Sequence, residues 1–251
     1  MQYKTRTAVG LAVLIAAAPT SAYAMHIPEG ILPLPWAGLW YLLVAPFVAL
    51  GLARLRKPAP DGQSIKPLLG MMGAAVFVIS CMPIPVPVAG TCSHPVGTAM
   101  AAILIGPVYS VLVSGVALLL QALFLAHGGL STWGANVFSM GVMGSFAGYA
   151  TFKGLTRLRV PLAVAAFFAG VAGDWATYAA TSFELSAALS GPGGFLNLFY
   201  TIAAAFVPTQ LPLGILEGFI TAGAVRFLYG RRPELFTGVT RAKGLSAAGE
   251  V

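Results

Sequence analysis

The 251-residue chain contains only three histidines, and the position of the first suggests metal chemistry. His26 directly follows Met25. If Met25 is the first residue of the mature protein, its amine, the backbone nitrogen of His26 and the His26 Nδ1 close fused five- and six-membered chelate rings on one cation. A square of nitrogens favours Ni(II), Cu(II) or low-spin Co(II). The Met-His pair therefore predicts a transition-metal site that depends on how the terminus is made.

The remaining in-plane nitrogen is expected to come from His94. It lies in a stretch of small residues, 88–95, that can approach a buried terminus closely. The prolines just before this stretch fix φ and reduce the entropy that is lost when the loop becomes ordered. The predicted metal ligands are therefore Met25, His26 and His94.

Three further polar residues are candidates for supporting roles, and each has two interpretations. Asn136 could orient a liganding histidine from outside the coordination sphere, or cap a helix or bond between helices. Glu29 could neutralise part of the cation's charge, although capping of the following turn is favoured. His127 is assigned chiefly to structural hydrogen bonding, with a place beside the metal as the alternative.

The required terminus is expected from a cleavable leader. Lys4 and Arg6 precede an apolar run over residues 8–18, and Ala22-Tyr23-Ala24 matches the A-x-A site of a signal peptidase. We therefore predict that residues 1–24 are removed as a signal peptide. The alternative is an uncleaved signal anchor, which would leave Met25 in mid-chain.

The composition excludes a water-soluble domain. Hydrophobic residues make up 58% of the chain and charged residues only 8%, about a third of the usual charged content of soluble domains. The formal charge of +7 does not indicate a nucleic-acid partner, because the basic residues stand between apolar runs. Seven segments are long or apolar enough to be assigned as spans: 36–54, 67–82, 95–106, 107–127, 133–152, 160–182 and 208–229. A further stretch, 195–207, is interpreted as a periplasmic-side helix or an extension of the last span.

The charges give this topology an orientation. Of the 14 lysines and arginines, two lie in the leader, and the other twelve all fall in cytoplasmic loops or the tail if the N-terminus is outside. The same arrangement brings the three histidines to the outer face. We thus predict an all-α membrane protein of about seven transmembrane helices, with residues 25–230 as the metal-binding domain and 231–251 as a cytoplasmic tail.

Other reactive residues are given structural assignments. Asp174 and Glu217 lie within predicted spans, where they could relay protons or touch the ion's path, but bonding between helices or to a partner is favoured. Cys81 and Cys92 form no CxxC pair, so they are either small packing residues or a disulfide. The sequence has no P-loop, G-x-S-x-G or H-E-x-x-H motif. It therefore predicts a non-catalytic protein without a prosthetic group.

Three stretches together resemble the CbiM/NikM family, whose members are substrate-binding S components of energy-coupling-factor transporters for cobalt and nickel. They are Met25-His26-Ile27-Pro28-Glu29-Gly30, Gly90-Thr91-Cys92-Ser93-His94-Pro95, and the segment from His127-Gly128-Gly129 through Gly134-Ala135-Asn136-Val137-Phe138. The resemblance implies a seven-span protein that captures the cation through Met25, His26 and His94 at the periplasmic face of a bacterial inner membrane.

The resemblance also implies partner subunits and a physiological role. The partners would be a small membrane subunit, a transmembrane coupling (T) subunit and cytoplasmic ATPase subunits. The unfused chain and its leader look more like the cobalt branch, which feeds cobalamin biosynthesis, than the nickel branch. Two other functions remain open: a structural membrane subunit whose histidines only pack, and an S component for a vitamin.

Overall fold

The computed structural model describes residues 23–24, 26–56, 65–82, 84–86 and 91–236, and this part of the chain is mainly helical. A π-helical stretch, Val137–Gly144, joins the helices Trp133–Asn136 and Ser145–Arg157, so residues 133–157 form one continuous helical segment. A 3-10 turn, Pro233–Phe236, follows the last helix. The helices are α1 (Leu34–Arg56), α2 (Lys66–Ser80), α3 (Thr98–Ile105), α4 (Pro107–Phe124), α5 (Trp133–Asn136), α6 (Ser145–Arg157), α7 (Leu162–Leu189) and α8 (Phe195–Arg231).

Four of these helices, α1, α4, α7 and α8, are long and apolar enough to cross a membrane. A crossing needs about 20 apolar residues, and α2 is apolar but has only 15 residues. The helical segment 195–207 continues without a break through Pro208 and Pro212 into the rest of α8. Of the two interpretations of this stretch, the structure agrees with a helix that continues into the last predicted span.

The third predicted segment differs most from its expectation. Helix α3 has only eight residues, and all eight are buried. At about 1.5 Å per residue it is roughly 12 Å long, which is less than half of a bilayer core. Gly97 before it and Gly106 after it both have positive φ, 73° and 84°, which glycine adopts without steric cost. Helix α3 is thus a central core element rather than a lipid-facing span.

A small sheet next to α3 was not expected from the sequence. The strands are β1 (Tyr23–Ala24), β2 (Ile84–Val86) and β3 (Thr91–Ser93), in the order β1-β3-β2. Strand β2 pairs antiparallel with β3, and β1 pairs parallel with it. The proline-rich stretch that we expected to form only a stiff loop therefore contributes a strand. The all-helical class holds for the body of the protein.

Close helix packing around α3 depends on small residues. A Cβ added to Gly148 of α6 would lie 2.6 Å from the Ala99 Cβ, and one added to Gly173 of α7 would lie 2.8 Å from it. Both distances are shorter than any real Cβ contact. Small residues let helix backbones approach in this way, so α3 is enclosed by α6 and α7.

The basic residues and the histidine-bearing segments lie at opposite helix ends. Helix α1 follows His26 and ends with Arg54 and Arg56, while α2 begins at Lys66 and leads into the sheet before His94. The helical segment 133–157 begins just after His127 and has Arg157 in its last turn. Basic and histidine-bearing ends thus alternate along the chain in the way the predicted topology requires.

The enclosure of α3 yields a stability prediction. Gly148→Ala should lower the unfolding midpoint of the detergent-solubilised protein, since the new methyl group collides with Ala99 and overpacking costs about 1–3 kcal/mol. Gly154→Ala is the matched control in the same helix, because its Cβ would meet nothing within 4 Å. A thermal scan in which the two variants unfold alike would contradict this packing.

Candidate metal centre

The three histidines, which are far apart in sequence, meet in one cluster. One nitrogen from each of His26, His94 and His127 can be chosen so that all three lie within 4.8 Å of one another. The ring centroid of His26 lies 4.8 Å from the ring centroids of both His94 and His127, and the latter two centroids are 5.4 Å apart. At this spacing, the three imidazoles surround a space that could hold one metal ion.

A chain of hydrogen bonds determines which nitrogen of His26 carries the proton. The Ser80 hydroxyl donates to the Val76 carbonyl oxygen at 2.7 Å, so its oxygen accepts from Gln121 Nε2 at 2.6 Å. Gln121 Oε1 therefore faces the His26 ring and accepts from Nε2 at 2.9 Å. The proton of the neutral ring is on Nε2, and the Nδ1 lone pair is left free. Nδ1 is the nitrogen that a terminal chelate needs.

His94 has the opposite tautomer, for a similar reason. Its Nδ1 is 3.0 Å from the Pro95 carbonyl oxygen, which can only accept a hydrogen bond. In the neutral ring the lone pair is then on Nε2, and this atom is buried without a hydrogen-bond partner among the described residues. The same is true of the Nε2 of His127. Buried polar atoms of this kind are uncommon in proteins and call for a ligand or another explanation.

The surroundings keep the cluster uncharged. Burial lowers the pKa of His26 well below its usual value, and repulsion from His94 and His127 lowers it further. Burial also lowers the pKa of His94 to about 3 and lowers that of His127. Because neutral imidazole is the form that binds metals, the cluster is ready to accept a cation at neutral pH.

The loop between α4 and α5 holds the N-terminal segment in place. Asn136 accepts from the Ile27 N–H at 2.7 Å and donates to the Ile27 carbonyl at 3.1 Å, and the Thr132 hydroxyl donates to the same carbonyl at 2.6 Å. Gly128, with φ of 81°, comes so close that an added Cβ would be 3.3 Å from the His26 Cβ. The residue after His26 is thereby fixed at both of its backbone polar groups.

These contacts revise the supporting roles expected of Asn136 and Glu29. Asn136 does act beside the histidines, but it binds the backbone of Ile27 rather than an imidazole. Glu29 is exposed and accepts hydrogen bonds from the Ser131 N–H at 3.0 and 3.3 Å. Glu29 thus joins the N-terminal segment to the loop ahead of α5, instead of capping its own turn.

Met25 lies outside the described residues, but its two neighbours are described. Ala24 pairs in register with Cys92 in the sheet, and His26 is in the cluster. The role of Met25 as a metal ligand therefore stays a prediction.

Several residues around the cluster were not singled out from the sequence. Gln121 is the clearest case: a lone amide in the apolar run of α4 is a signal that it bonds something buried. Thr132 gives no comparable signal. His127 was assigned mainly to packing, but its place in the cluster favours the alternative. Cys81 carries a free thiol, 3.5 Å from the Gln121 Nε2, so the disulfide alternative is not realised.

The two carboxylates predicted within spans have different surroundings. Glu217 accepts hydrogen bonds from the backbone at the start of α3. Both carboxylate oxygens of Asp174 are buried without a hydrogen-bond partner. The favoured expectation, bonding between elements, therefore describes Glu217 but not Asp174.

Comparison with known proteins agrees with a metal site. The family model for the cobalt uptake substrate-specific transmembrane region, CbiM, matches residues 26–235. The chain belongs to the CbiM family. It is 58% identical over 247 residues to a cobalt transport protein CbiM of Geobacter sulfurreducens, covering 98% of this chain and 70% of that protein. It is 57% identical to a cobalt transport protein CbiM of Sorangium cellulosum, covering 84% and 94% of the two chains.

Solved structures share the fold of this CbiM family member. A transition metal transporter superposes with a TM-score of 0.72 and 24% identity, covering 87% of this chain and all of the other. A truncated transition metal transporter gives a TM-score of 0.71 at 24% identity, over 82% and 99% of the two chains. At this identity the likeness shows the fold alone. The resemblance inferred from the three sequence stretches is thus confirmed at the level of the family.

The position of Gln121 predicts an effect on cobalt binding. Gln121→Leu should weaken Co(II) binding about 10- to 100-fold, since loss of a residue that orients a liganding histidine typically has this effect. Ser114→Ala is the control in the same helix, because the Ser114 hydroxyl bonds only to the Ser110 carbonyl of α4. Isothermal titration calorimetry measures the Co(II) affinity of both variants. Equal affinities of Gln121→Leu and Ser114→Ala would contradict the assigned His26 tautomer.

Proposed function

We propose that this protein is the substrate-capture S component of an ATP-driven cobalt importer of the energy-coupling-factor type. It takes Co(II) at the periplasmic face of the bacterial inner membrane and supplies it for cobalamin biosynthesis. The observation that carries the proposal is the histidine cluster, in which the Nε2 atoms of His94 and His127 are buried and have no hydrogen-bond partner in the described part of the chain. Membership of a cobalt transport family supports the choice of ion.

The proposed ligand set combines the described cluster with the expected terminus. Cleavage after Ala24 frees the Met25 amine, which binds the cation with the backbone nitrogen and Nδ1 of His26. His94 Nε2 supplies the fourth nitrogen. In both His26 and His94, one ring nitrogen bonds to the protein and the other is assigned to the metal. The tautomers therefore support these roles.

His127 is proposed as a weaker, axial ligand. The four in-plane positions are already assigned, and its Nε2 is the remaining unpartnered imidazole nitrogen of the cluster. His127 lies on the loop that also holds Ile27, which keeps it near His26. An axial imidazole adds less to binding than an in-plane one in ions that favour square geometry.

When the cation binds, its water ligands are replaced by nitrogen ligands in a buried site. The cation loses its hydration shell and gains nitrogen ligands that are already oriented, so little conformational entropy is lost. The His26 amide nitrogen binds after it gives up its proton to water, and the amine and imidazole ligands bind as neutral groups. Glu29, Thr132 and Asn136 hold the N-terminal segment against the loop before α5 and keep the site closed on that side.

Transport itself is assigned to partners. The sequence contains no P-loop, so ATP hydrolysis is expected in cytoplasmic ATPase subunits, which act through a transmembrane coupling subunit. A small membrane subunit completes the proposed complex. The basic helix ends would face the cytoplasm and the histidine ends the periplasm, in keeping with the positive-inside rule.

The ligand set predicts a ranking of histidine variants. His26→Ala and His94→Ala should each weaken Co(II) binding by more than about 100-fold, because changes outside the coordination sphere alone cost about 10- to 100-fold. His127→Ala should weaken it less but shift the Co(II) absorption bands. Equilibrium dialysis with cobalt and with competing Ni(II) measures both affinity and preference. Stoichiometric cobalt in the double variant of His26 and His94 would contradict the proposal and favour a packing role for the histidines.

The terminal amine is tested by blocking cleavage. A variant with Ala22→Leu and Ala24→Leu lacks the small residues that signal peptidase requires, so it should keep its leader and bind no cobalt tightly. A variant with Ala24→Ser is the control, since serine is small enough to be cleaved. Cobalt uptake into cells that also produce the partner subunits should be lost in the first variant and kept in the second. Wild-type binding by the uncleaved variant would show that the amine is not a ligand.

A further inference from the structure

Glu217 of α8 makes a buried contact with the backbone beside His94. Its side chain is only 1% exposed. The two carboxylate oxygens accept hydrogen bonds from successive backbone groups, the Val96 N–H at 2.5 Å and the Gly97 N–H at 2.9 Å. Val96 is two residues beyond His94. Two successive backbone N–H groups donate to one buried side chain, so this contact ties the chain after His94 to α8.

The chain before His94 is tied to the same helix. Gln210 Nε2 donates to the Ser93 hydroxyl oxygen, and the Ser93 hydroxyl donates to Thr209 Oγ1 at 3.3 Å. Gln210 and Glu217 are seven residues apart, so they share one face of α8 and are about 10.5 Å apart along its axis. The three Cα-to-Cα steps from Ser93 to Val96 cover about the same distance when the chain is extended.

His94 is therefore held between two attachment points on α8, and α7 adds a third. The Tyr178 hydroxyl of α7 donates to the His94 carbonyl oxygen at 3.4 Å. The other two histidines depend on different helices. His26 bonds to Gln121 of α4, and the His127 N–H donates to the Gln121 carbonyl oxygen at 3.2 Å.

We propose that Glu217 is a positioning residue for cobalt capture. Through Val96 and Gly97, its carboxylate holds the His94 loop on α8 and so places His94 Nε2 at the coordination site. The inference rests on the proposed function, since it concerns the same ion. Glu217 is not assigned as a ligand, because both of its oxygens are engaged by backbone N–H groups. Its effect is on the geometry of the ligand, and a misplacement of about 1 Å is enough to impair such a site.

The test replaces the carboxylate with an amide of the same size. Glu217→Gln keeps one acceptor oxygen but turns an NH2 group towards the second N–H, so the loop loses an attachment. Co(II) affinity should fall about 10- to 100-fold, and the absorption bands of bound Co(II) should approach those of His94→Ala. Glu184→Gln is the matched control, because Glu184 is a fully buried carboxylate of α7 without a described hydrogen bond. It should change the affinity by no more than about twofold.

A double-variant cycle separates positioning from a general effect on the fold. In a His94→Ala background, Glu217→Gln should change the affinity by no more than about twofold, since the side chain that it positions is gone. An equal loss in both backgrounds would overturn the proposal, as would wild-type affinity in the single variant.

Hydrogen exchange tests the anchor without metal. Amides of residues 96–98 in the metal-free protein should exchange faster in Glu217→Gln than in the wild type or in Glu184→Gln. Unchanged exchange would overturn the anchoring role whatever the cobalt data show. A wild type with no affinity for cobalt would instead overturn the proposed function, and the exchange rates would then decide on the anchor alone.

Discussion

The removal of imidazole lone pairs from water, without a replacement partner, is the constraint on which the rest of this structure depends. An unsatisfied buried polar atom costs about 1–3 kcal/mol, and His94 Nε2 and His127 Nε2 have no hydrogen-bond partner among the described residues. In His26 and His94 the other ring nitrogen makes the hydrogen bond, to Gln121 and to the Pro95 carbonyl respectively. The nitrogens of these two rings that we propose as ligands therefore keep their lone pairs free.

The cluster is assembled from two supports. His26 and His127 are held by α4 and by the loop and helix that follow it, through Gln121, Thr132 and Asn136. His94 is held by α7 and α8, through Tyr178 and Glu217. The short helix α3 lies between the supports and is enclosed by glycine contacts. The three imidazoles are therefore oriented by hydrogen bonds from two separate parts of the helix bundle.

The sequence was sufficient for the mainly helical class and for the closeness of His26 and His94, for identifiable reasons. Apolar length predicts a helix directly, and a histidine after a cleavage motif has chemistry that needs no tertiary structure. The sequence was insufficient where contacts between residues far apart in the chain determine the structure. The length of α3 is set by Gly106 and Pro107 together with complete burial, and β2 forms because β3 offers a partner. His127 looks like any isolated histidine until the fold places it 4.8 Å from the His26 ring. Likewise, Glu217 has an evident role only once its two backbone donors are known.

Native mass spectrometry of the protein extracted from membranes shows whether a liberated amine and buried imidazoles bind one cobalt ion. We expect the mass of a polypeptide that begins at Met25, with one cobalt ion retained per chain. If the mass includes residues 1–24 and cobalt is still bound, the Met25 nitrogen is part of a peptide bond and the amine is not a ligand.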